Sequence, residues 1–144
     1  MFSKTAEYAL RAVIAIARVE EDRLVLAREI SGKGHIPSKY LSKVLRDLVH
    51  AGVLLSTRGI GGGFRLRRRA NKLKLADIVN PFDDIPARSR CPLGHAKCSD
   101  DAPCAMHEQW RPVKEAFRAL LEDTTIAQLV ENERALDTKK GHKG

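Results

Sequence analysis

Apolar residues recur at helical spacing near the N-terminus of the chain. The pattern predicts an amphipathic helix from Ala6 to Val19 with one broad buried face. The residues of this face are Ala6, Ala9, Leu10, Val13, Ile14, Ile16 and Ala17. A shorter helix is predicted to begin at Leu24, after an acidic turn, and to end at the glycines Gly32 and Gly34.

The next predicted helix, Ser38 to His50, has two different faces. Its apolar face has residues at i, i+3, i+4 and i+7, namely Leu41, Val44, Leu45 and Leu48. The opposite face is polar and basic. A short helix, a turn with glycine and a second helix with a basic outer face is the plan of a helix-turn-helix. The alternative is a core helix whose charged face is simply solvated.

A glycine-tipped hairpin is predicted directly after this helix. Val53 to Arg58 forms one strand, Gly59 to Gly63 the turn, and Phe64 to Arg67 the returning strand. A basic hairpin behind a helix-turn-helix indicates a winged helix, whose helix enters the major groove and whose wing lies along the backbone or minor groove. A nucleotide-binding loop is disfavoured, because no Lys-Ser/Thr follows the glycines and the next element is a strand. The candidate DNA-binding residues are Lys39, Tyr40, Ser42, Lys43, Arg46, Arg58, Gly61, Gly62 and Arg65.

A second apolar stripe lies in the C-terminal part of the chain. Its spacing is close to a heptad seam, and its residues are Trp110, Val113, Phe117, Leu120 and Leu121. We expect the stripe to pair with a second copy of the chain, because a reader with one recognition helix gains affinity and site length by forming a dimer. The alternative is that it packs on its own head. Pro112 predicts that this helix begins a turn earlier or kinks.

The remaining pattern completes a fold that is mainly α with a small β-hairpin. Leu73 to Val79 predicts a short helix, Thr125 begins a last helix with Gln128 as its capping-box partner, and Asp137 to Gly144 resembles a disordered basic tail. We therefore expect a winged helix-turn-helix DNA-binding domain (1–80), a cysteine-rich cluster-binding loop (81–107), a long dimerisation helix with a C-terminal helix (108–136) and the tail (137–144).

Charge is unevenly distributed along the chain, whose net charge is +8. Residues 1–80 contain 16 Lys+Arg and 7 Asp+Glu, whereas residues 81–144 contain 10 and 11. This asymmetry indicates a polyanion such as double-stranded DNA as partner of the first part and a different role for the second. No apolar run approaches the ~20 residues of a membrane span, and the N-terminus lacks a secretory pattern. We therefore expect a cytoplasmic protein with reduced thiols and no membrane partner.

Every cysteine lies in one polar segment that contains proline and glycine. Cys91 and Cys98 are separated by six residues, Cys98 and Cys104 by five, and His107 follows three positions later. In a reducing compartment, clustered cysteines indicate metal binding or redox chemistry rather than disulfides. Three alternatives stay open: an iron–sulfur cluster, a structural zinc site, which these gaps fit poorly, and free thiols that sense oxidants. His107 is preferred to His95 as the imidazole ligand, because it opens the next helix.

Several segments together resemble the IscR/NsrR (Rrf-two) family of bacterial transcription regulators. The resemblance spans about residues 1 to 130 in unbroken order. It implies a homodimeric winged helix that binds a palindromic operator and carries an iron–sulfur cluster whose presence or damage sets DNA affinity. The segments are Glu-Tyr-Ala-Leu-Arg-Ala, Ile-Pro-Ser-Lys-Tyr-Leu-Ser-Lys-Val-Leu, Ser-Thr-Arg-Gly-Ile-Gly-Gly-Gly-Phe-Arg-Leu, the three-cysteine loop and Thr-Thr-Ile-Ala-Gln-Leu.

The resemblance also implies a ligand set. Cys91, Cys98 and Cys104 match the three cysteine ligands, and His107 matches the histidine that completes a 2Fe-2S site in the cluster-biogenesis regulators. Glu7 matches the position from which a partner subunit's carboxylate reaches the cluster in nitric-oxide-sensing relatives, and is the alternative fourth ligand. The first gap of six residues departs from the five that are usual in the biogenesis regulators. The match of His107 implies a 2Fe-2S cluster in preference, whereas the longer gap leaves 4Fe-4S as the alternative.

The expected function is that of a DNA-binding transcriptional regulator, a repressor, that senses iron–sulfur status, nitric oxide or redox state through its cluster. One alternative is a winged-helix regulator that uses zinc or free thiols without a cluster. Another is a small iron–sulfur redox protein, in which the basic head would have no role. An enzyme and a small-molecule substrate are not expected, because no nucleophile–base pair with a pocket is discernible.

Overall fold

The computed structural model describes residues 1–84, 91–95 and 98–141, so parts of the predicted cysteine loop (85–90, 96–97) and the last residues (142–144) lie outside the described residues. The described part contains six α-helices and one antiparallel hairpin. The elements are α1 (Lys4–Ala17), α2 (Ala27–Gly34), α3 (Ser38–His50), β1 (Leu54–Thr57), β2 (Gly63–Leu66), a 3₁₀ helix (Ala70–Lys72), α4 (Leu75–Val79), α5 (His107–Asp123) and α6 (Ile126–Gly141). None of these helices has the length and apolar content that crossing a membrane would require.

Helix α1 lies at the centre of the fold. Ser3 is its N-cap: the side-chain Oγ accepts a hydrogen bond from the backbone N–H of Ala6 at 3.1 Å. Its buried face is rich in alanine, and these short side chains let α2, α3, α4, α6 and β2 all contact the same helix. The predicted N-terminal helix is confirmed, and it ends at Ala17.

Helix α2 begins at Ala27 and not at Leu24, as the apolar pattern predicted. The reason is that Val25 is extended and pairs with Phe64 of the hairpin. Each of the two residues donates its backbone N–H to the carbonyl of the other, at 2.8 and 2.9 Å. This bridge joins the segment before the helix-turn-helix to the wing, so the two cannot move independently.

The turn between α2 and α3 is held by local hydrogen bonds. His35 ends α2 in the left-handed conformation, with φ 51° and ψ 48°. Ser31 donates its hydroxyl to the carbonyl oxygen of Ile36 at 2.6 Å. Helix α3 then buries the apolar residues that the sequence pattern predicted, and the helix-turn-helix is confirmed; these residues are Leu41, Val44, Leu45 and Leu48.

The hairpin behind α3 pairs Leu54 with Leu66 at its base and Thr57 with Gly63 at its tip. The first strand is two residues shorter than the sequence predicted, and the second has the predicted length but begins one residue earlier, at Gly63. Gly62 closes the turn, and a Cβ at this position would lie 2.2 Å from the carbonyl oxygen of Thr57. The turn therefore needs glycine at position 62, because any side chain would collide with the backbone of the opposite strand.

Helix α5 begins at His107 and continues through Pro112 to Asp123. The helix thus starts more than one turn before the proline, in agreement with the expected earlier start. Leu121, near its C-terminal end, is buried in a small second core with residues of α1 and α4. Among the described residues, the core contacts of α5 with the head lie in its C-terminal half, and its N-terminal end adjoins the cysteine loop.

Helix α6 packs on the main core of the head. Ile126 and Val130 are buried there. The predicted capping box is confirmed, because the backbone N–H of Thr125 donates to Oε1 of Gln128 at 2.9 Å and the reciprocal bond measures 3.2 Å.

The tail that was predicted to be disordered from Asp137 is helical as far as Gly141, so this prediction was wrong over that range. Arg18, just after α1, binds two acidic side chains of α6: Glu133 at 3.0 Å and Asp137 at 2.6 Å. These ion pairs join positions more than a hundred residues apart. They hold the end of α6 beside α1, and no local sequence pattern predicts them.

Candidate functional site

The three cysteine sulfurs converge in the loop before α5. Their Sγ atoms lie within 4.8 Å of one another, and Cys91 Sγ and Cys104 Sγ are 3.3 Å apart. Two local features shape the loop: a turn in which Gly94 N–H donates to the Cys91 carbonyl at 2.9 Å, and a bond of 3.1 Å from His107 N–H to the Cys104 carbonyl. All three cysteines are half-buried, so the thiols face one another and are still reachable from solvent.

His107 joins this group from the first residue of α5. Its Nδ1 lies 3.5 Å from Cys98 Sγ, and its side chain is only 13% exposed. Nε2, the other ring nitrogen, lies 2.8 Å from a carboxylate oxygen of Asp100. His95 instead lines a shallow cavity of about 470 Å³ together with Cys98 and other loop residues. The preference for His107 over His95 as a ligand stays a prediction, and the distances favour it.

The thiols of Cys91 and Cys104 have pKa values displaced in opposite directions. Burial raises the pKa of Cys91, but hydrogen bonds from the Cys104 thiol and from the backbone N–H groups of His95 and Leu93 outweigh it and bring this pKa to about 7. The bond to Cys91, together with burial, raises the pKa of Cys104. Cys91 therefore ionises before Cys104, and the thiolate is the form that binds metal.

The donor set fits a thiophilic metal or an iron–sulfur cluster. Thiolates and an imidazole are the soft ligands that iron–sulfur clusters and zinc share. The residues that could hold such a group come together from one loop and one helix end: Cys91, Cys98, Cys104 and His107. Distances of this size are those of ligands that converge on a common centre.

Glu7, the alternative fourth ligand, lies in the first turn of α1. Its carboxylate pairs with Lys4 at 3.3 Å, and its side chain is 38% exposed. Among the described residues of one chain, the converging ligand atoms found are those of the three cysteines. A role for Glu7 therefore concerns contacts between two subunits and stays a prediction.

The predicted DNA-reading face of α3 is open to solvent. The basic and polar residues of this face are all exposed: Lys39, Ser42, Lys43 and Arg46. Tyr40 is 45% exposed, and its ring stacks on Tyr8 of α1 at 5.6 Å. Lys39 also lies over the Tyr40 ring, at 4.9 Å. The face therefore carries charge at the surface while one aromatic residue anchors it to α1.

The predicted DNA-binding residues of the wing differ in their exposure to solvent. Arg58 and Gly61 are exposed, but Gly62 is buried and shapes the tip. Arg65 is half-buried, and its guanidinium lies 3.5 Å from the carboxylate of Asp22. Ile60, which sequence reasoning did not select, is the fully exposed residue at the tip. The sequence signal that could have pointed to Ile60 is an apolar residue between two glycines of a predicted turn.

The apolar stripe of α5 is divided between two environments. Leu121 is buried, and the ring of Phe117 lies 6.2 Å from that of Phe2, so these two residues pack on their own chain. Val113 and Leu120 are 53% and 42% exposed. Trp110 is half-buried. The end of the stripe near Leu121 thus packs on the head, as the alternative described, and pairing with a second copy stays a prediction.

Two residues beside the cysteines were not selected from the sequence. Asp100 accepts a hydrogen bond from His107 and also pairs with Arg111 at 2.8 Å. The His107 bond, followed by the charge of Arg111, holds the pKa of the Asp100 carboxyl below its usual range. Asp100 lies in an irregular loop, where no periodicity relates it to a helix, so spacing rules could not find it.

Comparison with known proteins identifies the kind of protein that carries these features. A protein of Aquifex aeolicus, named as an HTH-type transcriptional regulator, is 36% identical over 132 residues, which cover 90% of this chain and 91% of the relative. The HTH-type transcriptional regulator IscR of Cronobacter sakazakii is 28% identical over 130 residues, covering 90% and 80%. The solved structure of CymR, the global cysteine regulator of B. subtilis, superposes with a TM-score of 0.75 at 22% identity, covering 92% and 97%.

The fold class predicted from the sequence, a mainly α winged helix-turn-helix with a small hairpin and a long helix behind it, is confirmed by the elements and by this superposition. The family model for Rrf2, described as an iron-dependent transcriptional regulator, matches residues 2–132. The chain therefore belongs to the Rrf2 family of transcriptional regulators.

Proposed function

We propose that this protein is a homodimeric DNA-binding repressor whose affinity for its operator is set by an iron–sulfur cluster. The observation that carries the proposal is the convergence of three thiols within 4.8 Å, with His107 beside them, directly before the helix that leaves the DNA-reading head. The description of the family as iron-dependent and the similarity to IscR support it. The signal in this proposal is iron–sulfur status, nitric oxide or redox state.

The proposed ligands are Cys91, Cys98, Cys104 and His107, with Glu7 from the partner subunit as the alternative to His107. A bound cluster, 2Fe-2S in preference to 4Fe-4S, supplies iron that oxidants and nitric oxide can attack. The protein contributes a half-buried loop that limits solvent access and a helix end that fixes the histidine. Cluster loss would remove the ligand bonds that join the loop to the start of α5. The placement of α5 would therefore depend on the state of the site.

The proposed DNA contacts divide between α3 and the wing. The exposed polar face of α3 enters the major groove, with Lys39, Tyr40, Ser42, Lys43 and Arg46 along it. Arg58 and Arg65, with the backbone of the glycine turn at Gly61 and Gly62, follow the phosphates or the minor groove. In this proposal residues 1–80 bind DNA, residues 81–107 hold the cluster and residues 108–136 form the dimer on a palindromic operator.

Anaerobic purification tests the proposal directly. We expect a coloured protein with visible absorbance, and with iron and inorganic sulfide in the ratio of an iron–sulfur cluster. We also expect a change in operator affinity when the cluster is removed, of the size usual for allosteric coupling, about 1–3 kcal/mol. Colourless, iron-free protein from an anaerobic preparation contradicts the cluster, and equal operator binding by the wild type and a Cys98→Ala variant contradicts its regulatory role.

A thiol switch without a cluster is the second candidate, and two observations favour it. Cys91 Sγ lies 3.3 Å from Cys104 Sγ, and the pKa of Cys91 is about 7. With a peroxide as oxidant, the Cys91 thiolate would be oxidised to a sulfenic acid, and Cys104 would then displace water to form a disulfide. Protein that is iron-free and zinc-free, but forms this disulfide and changes its operator affinity, would support the second candidate.

A further inference from the structure

We propose that Asp100 is a positioning residue that orients His107 as a metal ligand through Nδ1, and that Arg111 holds Asp100 in place. The inference rests on the proposed function only in taking His107 to be a ligand. It begins from two contacts that share one oxygen. Asp100 Oδ1 lies 2.8 Å from His107 Nε2 and 2.8 Å from Arg111 Nη2.

The two ring nitrogens of His107 have different partners. A carboxylate can only accept a hydrogen bond, so Nε2 must carry the proton that is donated to Asp100. In the neutral ring Nδ1 then has the free lone pair, and this atom is the one that faces Cys98 Sγ at 3.5 Å. Asp100 therefore selects both the tautomer and the ring orientation that point a ligand atom toward the thiols. Metal-binding histidines commonly donate their second ring N–H to a carboxylate in this way.

Arg111 is placed to hold the carboxylate from the same helix. His107 and Arg111 are four residues apart in α5, so their side chains project from one face of the helix. Arg111 also lies 3.4 Å from Glu108, which directs its guanidinium toward the N-terminal end of α5. Asp100 comes from the loop, seven positions before His107. The three residues thus join the middle of the cysteine loop to the first turn of α5.

Exposure indicates that this arrangement serves the site and not the stability of the fold. The Asp100 side chain is 79% exposed and Arg111 is 43% exposed, and ion pairs at such positions contribute little to folding. His107, in contrast, is 13% exposed and lies in the group of ligands. Removing Asp100 should therefore leave the metal-free protein folded while it weakens metal binding.

The test uses cobalt(II) as a coloured probe of the full-length, metal-free protein. We expect Asp100→Ala to weaken cobalt binding about tenfold, the lower end of the 10–100-fold range for such outer partners, because the carboxylate is largely exposed. Asp100→Asn should lose less, since its amide oxygen still accepts a hydrogen bond. Arg111→Ala should weaken binding in the same direction. Asp101→Asn is the matched control, because it removes the same charge one residue further along an exposed stretch.

A second measurement separates positioning from a general structural effect. In a His107→Ala background, Asp100→Ala should change cobalt affinity by less than about twofold, because residues that act through one another are not additive. The melting temperature of metal-free Asp100→Ala should equal that of the wild type. Additive losses in the double variant, or equal binding by Asp100→Ala and Asp101→Asn, overturn the inference, as does a wild-type chain that binds no cobalt. A protein that shows the expected cobalt pattern but no operator binding would refute the proposed function and leave the role of Asp100 intact.

Discussion

Gly62 lies where the wing turns back toward the head, and the absence of a side chain is what permits this turn. The position is buried, and a Cβ would approach the Thr57 carbonyl oxygen to 2.2 Å and that of Gly59 to 2.8 Å. Both neighbours are backbone atoms, so no rotamer change can relieve the contact. The hairpin itself would have to open.

We therefore predict that Gly62→Ala destabilises the protein by about 1–3 kcal/mol, the usual range for overpacking, and weakens operator binding by distorting the wing. Thermal unfolding and a DNA titration measure the two effects. Gly32→Ala is the matched control, because a Cβ at position 32 meets nothing within 4 Å and alanine is favoured by up to about 1 kcal/mol over glycine within a helix. Equal melting temperatures for Gly62→Ala and the wild type would contradict the steric argument.

The ionisation of Cys91 should make the reactivity of this single thiol depend on pH. Hydrogen bonds from Cys104 and from backbone N–H groups outweigh burial and lower the pKa of Cys91 to about 7. In the metal-free protein, the thiolate fraction of Cys91 should rise as pH passes upward through about 7, and alkylation by iodoacetamide should rise with it. Cys104, whose pKa is raised, should react only at higher pH. Peptide mass spectrometry measures both rates.

The Cys104→Ala variant is the decisive comparison for this pH dependence. It removes the hydrogen bond that stabilises the Cys91 thiolate, so the midpoint of Cys91 alkylation should move to higher pH. A midpoint that does not move, or faster labelling of Cys104 than of Cys91 at pH 7 in the wild type, would show that this bond does not control the ionisation.

Helix α3 shows most clearly how far a sequence pattern determines an element. Four apolar residues at helical spacing are buried, and Ser42, Lys43 and Arg46 between them are exposed, as the pattern predicted. The start of α2 was predicted less well, because Val25 forms a backbone bridge to Phe64 across the fold. Helical periodicity is a local property and describes α3 completely. It cannot report a partner nearly forty residues away.

The exposed cations of α3 should contribute to DNA binding. We predict that Lys43→Ala and Arg46→Ala each cost about 1–3 kcal/mol if the side chain contacts a base, or reduce the salt slope by about one if it contacts a phosphate. Fluorescence anisotropy with an operator duplex at several salt concentrations separates these outcomes. Lys139→Ala, an exposed lysine at the end of α6, is the control for loss of one positive charge. Equal effects of Lys43→Ala and Lys139→Ala would remove α3 from the DNA interface.

For the molecule as a whole, the sequence predicted the order of elements, the basic head and the region of the thiols, because each depends on local pattern or composition. It did not predict contacts that close over long distances. The ion pairs from Arg18 to Glu133 and Asp137, which make the last residues of α6 part of the fold, are one case. Nor did it predict the bond from His107 to Asp100, only seven positions away, because that contact depends on the path of an irregular loop.

The exposed apolar residues of α5 bear on the oligomeric state of the protein. Val113 and Leu120 lie seven residues apart on one side of a helix whose core contacts with the head, among the described residues, lie in its C-terminal half. Exposed apolar residues in such a seam are costly unless a second copy covers them. The cysteine site lies at the N-terminal end of this same helix, so dimer geometry and the state of the site are mechanically linked in the proposed mechanism.

We predict that the double variant Val113→Asp, Leu120→Asp is monomeric, because two buried and unpaired carboxylates at the seam would cost more than the interface can offset. Sedimentation equilibrium measures the mass. Operator affinity should fall together with dimerisation, and the salt slope should drop to about half, because one head contacts half the phosphates. Leu136→Asp is the matched control: Leu136 is 54% exposed but lies on α6, away from the stripe, and its variant should remain dimeric. A double variant that sediments as a dimer with unchanged operator affinity would place the subunit interface elsewhere. Helix α5 would then support the cysteine loop alone.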